Sequence, residues 1–249
     1  MNRVEPVMGT VVSFDLRDGS VSVEALDAAV AWLHEVDARF SPYRPDSEVS
    51  RLADGTLDEP DSHPDVRAIL AMADTLAIDS GGAFDARGWR VDRRLDPSAM
   101  VKGWSLQVAA DRLAAAGGRS FAINGGGDIV ARGGPLPGVP WRVGVRHPDR
   151  PDRVAAVLTV SDAAVATSAA YERGAHIRDP RTGRTPSGIR SLTVVGPSLT
   201  WADAYATAGY VLGLDGLAWV SGHDGYDAYA ITWDDTVCWT PGMSRYLVR

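Results

Sequence analysis

Residues 154–168 read VAAVLTVSDAAVATS and contain two predicted strands, 154–160 and 164–168, with only three residues between them. Further strands are predicted on either side of this pair, at 141–145 and 192–195. Strands that follow one another in runs, with helices inserted singly, favour an α+β fold over a doubly wound parallel sheet. We therefore expect mixed or antiparallel sheets with interspersed helices.

Apolar residues that repeat at the helical period predict four amphipathic helices around these strands. Their ranges are 23–40, 65–79, 102–116 and 200–212. Short strands are also predicted at 11–16, at 121–123 and in a closing hairpin, 228–233 and 237–240. No long linker or repeat interrupts the chain, so we expect residues 1–249 to form a single domain.

The composition excludes several classes of protein. Hydrophobic residues make up 45% of the chain and charged residues 23%, which is typical of a folded protein rather than a disordered one. The net charge of −7 argues against nucleic acid as the main partner. No apolar run approaches the roughly 18 residues that span a bilayer. The single cysteine and the absence of a visible signal peptide or lipobox lead us to expect a cytoplasmic protein.

Several familiar catalytic and cofactor motifs do not occur in this sequence. It contains no dinucleotide-binding or P-loop glycine pattern and no nucleophile elbow. The five histidines and one cysteine lack the spacing of a zinc site. Any metal is therefore expected to be a hard ion bound by oxygen, which favours Mg²⁺.

Two clusters lie near predicted helix ends. In GGAFD, residues 81–85, Asp85 is placed to hold the polar edge of a ligand beside apolar Phe84. The alternative is a helix stop followed by a strand. In LDPSAMVKG, residues 95–103, Lys102 stands near a predicted helix start, where the helix dipole disfavours a cation unless an anion such as a diphosphate binds there. The alternative is a solvated lysine on a turn.

Two further clusters contain candidate catalytic or metal-binding groups. In YERGAHIRDPRTGRTP, residues 171–186, His176 is a candidate general base, because its ordinary pKa lies near neutrality. The alternative is a surface loop with a paired histidine. In LTWADAYAT, residues 199–207, Asp203 and Thr207 share one helix face, which suits two oxygen ligands for one Mg²⁺. The alternative is a capping box formed by Thr200 and Asp203.

In this order along the chain, the clusters resemble the ApbE-like family of FAD:protein FMN transferases. The matching motifs are MGT at 8–10, FSPYRPDSEVSR at 40–51, GGAFD at 81–85, Asp96 with Lys102-Gly103, GGGD at 125–128, HIRDPRTG at 176–183 and ADAYAT at 202–207. Each motif alone is weak, but seven in the family's order are a specific resemblance.

The resemblance implies the family's α+β fold, which is T-fold-like. It implies FAD as the donor substrate and Mg²⁺ at the diphosphate of FAD. The enzyme would release AMP and attach FMN through a phosphoester to a Thr or Ser side chain of an acceptor protein. Two alternatives remain open: Mg²⁺-dependent hydrolysis of FAD to FMN and AMP, and a flavin-binding protein without turnover.

The resemblance also implies roles for individual residues. His176 would be the catalytic base and Asp203 would also serve catalysis. Asp203, Thr207 and the backbone carbonyl of Ala99 would bind the metal. The positions implied to contact FAD are Met8, Tyr43, Ala83, Phe84, Asp85, Asp96, Lys102 and Ile177.

Overall fold

The computed structural model describes residues 1–88, 95–150, 152–169 and 177–248. The strands are β1 (Asn2–Val7), β2 (Thr10–Leu16), β3 (Phe121–Gly125), β4 (Asp128–Arg132), β5 (Trp141–Arg146), β6 (Val154–Val160), β7 (Ala163–Ala169), β8 (Ser191–Gly196), β9 (Asp227–Ile231) and β10 (Val237–Trp239). The α-helices are α1 (Val23–Phe40), α2 (Glu48–Asp54), α3 (Pro64–Asp79), α4 (Ser98–Ala115), α5 (Leu199–Leu212) and α6 (Asp215–Ser221). Short 3₁₀ helices lie at Glu59–Asp61 and Pro241–Arg245.

One sheet of eight strands forms the centre of the fold, in the order β1-β2-β3-β4-β7-β8-β9-β10. Every neighbouring pair in it is antiparallel, and β5 and β6 form a separate antiparallel pair. The predicted α+β class, with antiparallel sheets and interspersed helices, is confirmed. None of the helices in the described ranges is long and apolar enough to cross a membrane.

The two faces of the large sheet bury different clusters of side chains. Along β7, Ala164 and Ala166 join the larger core beneath the helices, whereas Val165 joins a second cluster with Val143 and Leu158 of the β5–β6 pair. This alternation follows from the pleat, which directs successive side chains to opposite faces. The helices therefore cover one face of the sheet and the β5–β6 pair packs on the other.

Helix α4 begins at Ser98, four residues before the helix start predicted at Lys102. Asp96 Oδ1 accepts a hydrogen bond from the Ser98 N–H over 3.1 Å, and Pro97 at the N-cap needs no N–H partner. The proline therefore marks the start of this helix rather than a turn before it. Lys102 lies in the second turn, so the prediction of a lysine at the helix start is wrong.

Two strands and two α-helices were absent from the sequence-based prediction: β1, β4, α2 and α6. Strand β1 is mostly exposed, so its residues show no apolar alternation. A two-residue turn joins it to β2, with Met8 and Gly9 at φ 54° and 67°. Positive φ at both central residues matches the twist of a tight hairpin. The turn places Met8 at the edge of the site described next.

Candidate active site

A cleft of about 320 Å³ lies where the first turns of α4, the end of α1, strand β7 and helix α5 meet. Every predicted site residue that the structure describes lines this cleft: Met8, Tyr43, Ala83, Phe84, Asp85, Asp96, Ala99, Lys102, Ile177, Asp203 and Thr207. His176 lies outside the described residues. The fold thus brings together residues that are almost 200 positions apart in the chain.

The deep end of the cleft is built where α4 crosses α5. The Gly103 N–H donates to Asp203 Oδ2 over 2.9 Å, and the Asp203 side chain is almost completely buried. A Cβ on Gly103 would lie 2.5 Å from the Leu199 carbonyl oxygen and 2.7 Å from Asp203 Cβ. Glycine is therefore required at position 103, since only it lets the two helices approach this closely.

The predicted alternative for Asp203, a capping box with Thr200, does not form. Helix α5 begins at Leu199 with Ser198 as its N-cap; the Ser198 side chain makes no capping hydrogen bond, and Gln107 Oε1 of α4 accepts from the Leu199 N–H over 2.8 Å. Thr200 therefore lies inside the helix, and Asp203 Oδ2 accepts from α4 instead. This cross-helix bond holds the carboxylate at the cleft rather than at its own helix end.

Three charged side chains lie next to one another in the cleft region. The Lys102 ammonium makes an ion pair with Asp128 Oδ2, and its Nζ lies 3.6 Å from Asp203 Oδ1. Asp128 is buried and also accepts a hydrogen bond from the Thr167 N–H at Oδ1, over 3.1 Å. Burying such charges is costly unless they are paired, and here each carboxylate has a donor or an ion-pair partner.

Strand β7 supplies polar groups that the sequence analysis did not identify. Thr167 and Ser168 both line the cleft, and Ser168 Oγ lies 3.3 Å from Thr207 Oγ1. A hydrogen bond between two hydroxyls fixes the direction in which each oxygen presents its remaining lone pairs. The sequence signal for these groups is the Thr-Ser pair in an otherwise apolar strand. By sequence alone, this pair cannot be distinguished from the ordinary polar end of a strand.

Residues with oxygen atoms of the kind that bind Mg²⁺ line this part of the cleft: Asp203 with its carboxylate, Thr207 with its hydroxyl and Ala99 with its backbone carbonyl. A backbone carbonyl oxygen has two lone pairs, so the Ala99 carbonyl keeps acceptor capacity beside a hydrogen bond within the helix. In the described ranges, no group of three or more His, Cys, Asp or Glu is placed to hold a metal. The donors that are present fit a hard cation that takes further ligands from its substrate.

Apolar and aromatic side chains also line the cleft. Phe84 and Ala83 are almost completely buried in its wall, whereas Tyr43 is 83% exposed at its mouth. The Met8 sulfur lies 3.4 Å from Ser105 Oγ, whose hydroxyl donates to the Lys102 carbonyl over 2.9 Å, and this contact holds the Met8 side chain beside the wall. Aromatic and thioether groups of this kind provide contact area for a flat ring system.

A turn at residues 179–183 packs against the loop that carries Phe84. A Cβ on Gly82 would lie 3.3 Å from Arg181 Cγ, and Gly82 has a positive φ of 78°. The Arg181 guanidinium bonds to both carboxylate oxygens of Asp179 and lowers the pKa of that carboxyl group below its ordinary value. The same contact raises the pKa of Arg181. This ion pair stabilises the turn next to Pro180, which lines the cleft.

Comparison with known proteins identifies relatives with the same architecture. The model of the ApbE family matches residues 8–91 and 87–230. The chain is 28% identical to the FAD:protein FMN transferase of Vibrio cholerae serotype O1, over 84% of this chain and 80% of that protein. It is 31% identical to the FAD:protein FMN transferase of Rhodobacter capsulatus, over 87% of this chain but only 40% of that protein.

A solved structure, the flavin transferase ApbE from Vibrio cholerae, has a TM-score of 0.87 and 25% sequence identity to this chain. The superposition covers 99% of both chains, so the similarity extends across the sheet, the helices and the cleft. The family model independently covers nearly all residues from the β1–β2 turn to strand β9. On both grounds, this chain belongs to the ApbE family.

Proposed function

We propose that this protein is an FAD:protein FMN transferase, which moves FMN from FAD to a Thr or Ser side chain of an acceptor protein and releases AMP. In support, a relative along most of the chain is named FAD:protein FMN transferase, and a solved structure of the same fold is named a flavin transferase. The observation that carries the proposal is the cleft itself, which is lined both by apolar and aromatic side chains and by buried charges and oxygen donors. We further propose that residues 1–249 act in this reaction as one unit, because the cleft draws on residues from Met8 to Val211.

The two kinds of side chain that line the cleft suit the two chemical parts of FAD. The isoalloxazine ring needs apolar contact area, which Tyr43, Phe84 and Met8 supply. The diphosphate needs positive charge and N–H donors. The first turn of α4 lines the cleft with Ser98 and Ala99, and a helix N-terminus attracts anions. The Lys102 ammonium, one helical turn further on, adds positive charge to the same region.

In the transfer step, one bond to phosphorus forms and another breaks. The acceptor hydroxyl oxygen forms a bond to the phosphorus of the FMN half of FAD, and the bond from that phosphorus to the bridging oxygen breaks. AMP leaves with the electron pair of the broken bond. The hydroxyl proton passes to a general base, which we assign to His176. In support, His176 directly precedes Ile177, which lines the cleft.

We propose that the Asp203 carboxylate, the Thr207 hydroxyl and the Ala99 carbonyl hold Mg²⁺. When bound, Mg²⁺ supplies positive charge that offsets the charge of the diphosphate and stabilises the leaving AMP. The residues of this chain prepare that position. The Gly103 N–H fixes one oxygen of Asp203, and Ser168 fixes the direction of the Thr207 hydroxyl.

Incubation of the purified protein with FAD and Mg²⁺, with and without a threonine-containing flavin-acceptor peptide, tests the proposal. The expected result is AMP release that depends on the peptide, with a matching increase in peptide mass equal to one FMN phosphoester. AMP release at the same rate without peptide would instead establish FAD hydrolysis. Bound FAD with no AMP in either mixture would establish a flavin-binding protein without turnover. Either of these two results would contradict the proposal.

A further inference from the structure

We propose that Asp128 is a positioning residue that holds the Lys102 ammonium away from Asp203, so that Asp203 can bind a divalent cation. The inference rests on the proposed metal-dependent function and concerns a residue outside the implied metal-binding and FAD-contact sets. It starts from the arrangement of two buried carboxylates on either side of one lysine.

The backbone fixes the position of Asp128. It is the first residue of β4, directly after the Gly126-Gly127 turn, and its Oδ1 accepts from the Thr167 N–H of β7. Strands β4 and β7 are paired from Ile129 onward, so the sheet register sets the distance between Asp128 and Thr167. The Asp128 side chain is only 2% exposed and has little freedom to move.

Lys102 is shared unequally between the two carboxylates. Its Nζ contacts Asp128 Oδ2 directly but lies 3.6 Å from Asp203 Oδ1. The other Asp203 oxygen accepts from the Gly103 N–H. An ammonium and a divalent cation compete for the same carboxylate oxygen, since both are attracted by its charge. The contact with Asp128 therefore weakens the competition at Asp203.

Loss of the Asp128 charge should move the Lys102 ammonium toward Asp203. In Asp128→Asn the side chain keeps its shape and still offers an oxygen to the Thr167 N–H, but it no longer attracts the ammonium. A partly buried lysine that loses its partner is driven toward the next carboxylate, because an uncompensated buried charge is costly. For Lys102 that carboxylate is Asp203, 3.6 Å away.

Mn²⁺ titration followed by electron paramagnetic resonance tests the inference without relying on turnover. Mn²⁺ is suitable because it prefers the same oxygen ligands as Mg²⁺. We expect Asp128→Asn to weaken Mn²⁺ binding by about 10-fold or more, the effect typical of residues that orient metal ligands. The double variant Lys102→Met with Asp128→Asn removes the competing ammonium as well. Its Kd for Mn²⁺ should lie within about threefold of the wild-type value, because loss of the competing ammonium offsets loss of the Asp128 charge.

The rescue distinguishes positioning from other roles. If the double variant binds Mn²⁺ as weakly as Asp128→Asn alone, Asp128 acts as a ligand or supports the fold, and the inference is overturned. Unchanged binding in Asp128→Asn would overturn it too. Should Asp128→Asn fold poorly, Lys102→Met alone decides the matter. Removal of the competitor must leave Mn²⁺ binding at least as tight as in the wild type, and weaker binding would contradict the inference.

The proposed function is judged separately. If the wild type shows no Mn²⁺ site that is sensitive to Asp203→Asn, the positioning role of Asp128 is overturned. The AMP-release assay on the same preparation then still reports whether FMN is transferred. The failure of one proposal is thus distinguishable from the failure of the other.

Discussion

Gly103 and Asp203 are in direct contact across two helices, with the Gly103 N–H donating to Asp203 Oδ2 over 2.9 Å, although they are 100 residues apart in the chain. The bond forms because position 103 has no side chain, which lets α4 and α5 approach until a backbone amide reaches a buried carboxylate. One residue before it, Lys102 carries the charge that faces the same carboxylate. Lys102 therefore supplies a positive charge, and Gly103 leaves the space that lets the Asp203 carboxylate lie next to it.

Gly103→Ala should destabilise the protein and weaken its activity. The new Cβ would lie 2.5 Å from the Leu199 carbonyl oxygen, so α5 must shift, at a cost of about 1–3 kcal/mol in the free energy of unfolding. Urea denaturation measures this cost. Ala114→Ser adds one atom at an exposed position of the same helix and should change the free energy by less than about 0.5 kcal/mol. Equal effects of the two substitutions would contradict the close approach.

Tyr43→Ala should weaken FAD binding without changing stability. Tyr43 is 83% exposed, so its packing within the free protein is slight, but it stands at the mouth of the cleft. Loss of an aromatic contact with the flavin should raise the Kd for FAD by about 3- to 10-fold. Trp239→Ala removes another exposed aromatic side chain, on β10, and should leave the Kd unchanged. Fluorescence titration with FAD measures both, and an unaltered Kd in Tyr43→Ala would exclude the contact.

His176→Ala should slow FMN transfer by about 100-fold while FAD still binds, because general bases typically contribute this much to the rate. His34→Ala is the matched control, since His34 is an exposed histidine that pairs with Glu5 and is not among the residues that line the cleft. Single-turnover AMP release and FAD titration are measured on both variants. Loss of FAD binding in His176→Ala would assign His176 to ligand contact rather than to proton transfer.

The Asp179–Arg181 pair predicts a dependence of stability on pH. Arg181 lowers the pKa of Asp179 below the ordinary value of 3.8, so the folded state favours the ionised carboxylate. That stabilisation is complete above pH 3.8 and is lost as the pH falls through the lowered pKa. The stability advantage of the wild type over Asp179→Asn should therefore shrink below pH 3.8. Urea unfolding of both proteins at several pH values measures this difference in the free energy of unfolding. A difference that does not change with pH would exclude a contribution from the ion pair.

The sequence predicted those parts of the fold whose signals are local. Helix α1 was predicted over its observed range because its apolar stripe repeats at the helical period; in the structure, Ser22 caps its start. Strand β1 was missed because exposed residues such as Arg3 and Val4 show no alternation. The start of α4 was predicted four residues late, at Lys102, although Pro97 suits the first positions of a helix.

The cleft residues likewise divide into those with a local sequence signal and those without one. Asp203 and Thr207 were identified because their spacing within one helix places them on one face. Asp128 and Ser168 were not identified as site residues, since each acts through a partner 39 residues away, Thr167 and Thr207 respectively. Such pairings depend on the register of β4 and β7 and on how α5 packs on the sheet, which no local pattern encodes.

The most direct test of the account compares AMP release from FAD by the wild type and Asp203→Asn, in the presence of an acceptor peptide and increasing Mg²⁺. We predict that the wild-type rate rises with Mg²⁺ and saturates, and that Asp203→Asn loses at least about 100-fold in rate at every concentration while its unfolding transition is retained. Asp215→Asn, at an exposed acid in the first turn of α6, should match the wild type. A Mg²⁺-dependent rate in Asp203→Asn equal to that of the wild type would contradict the account.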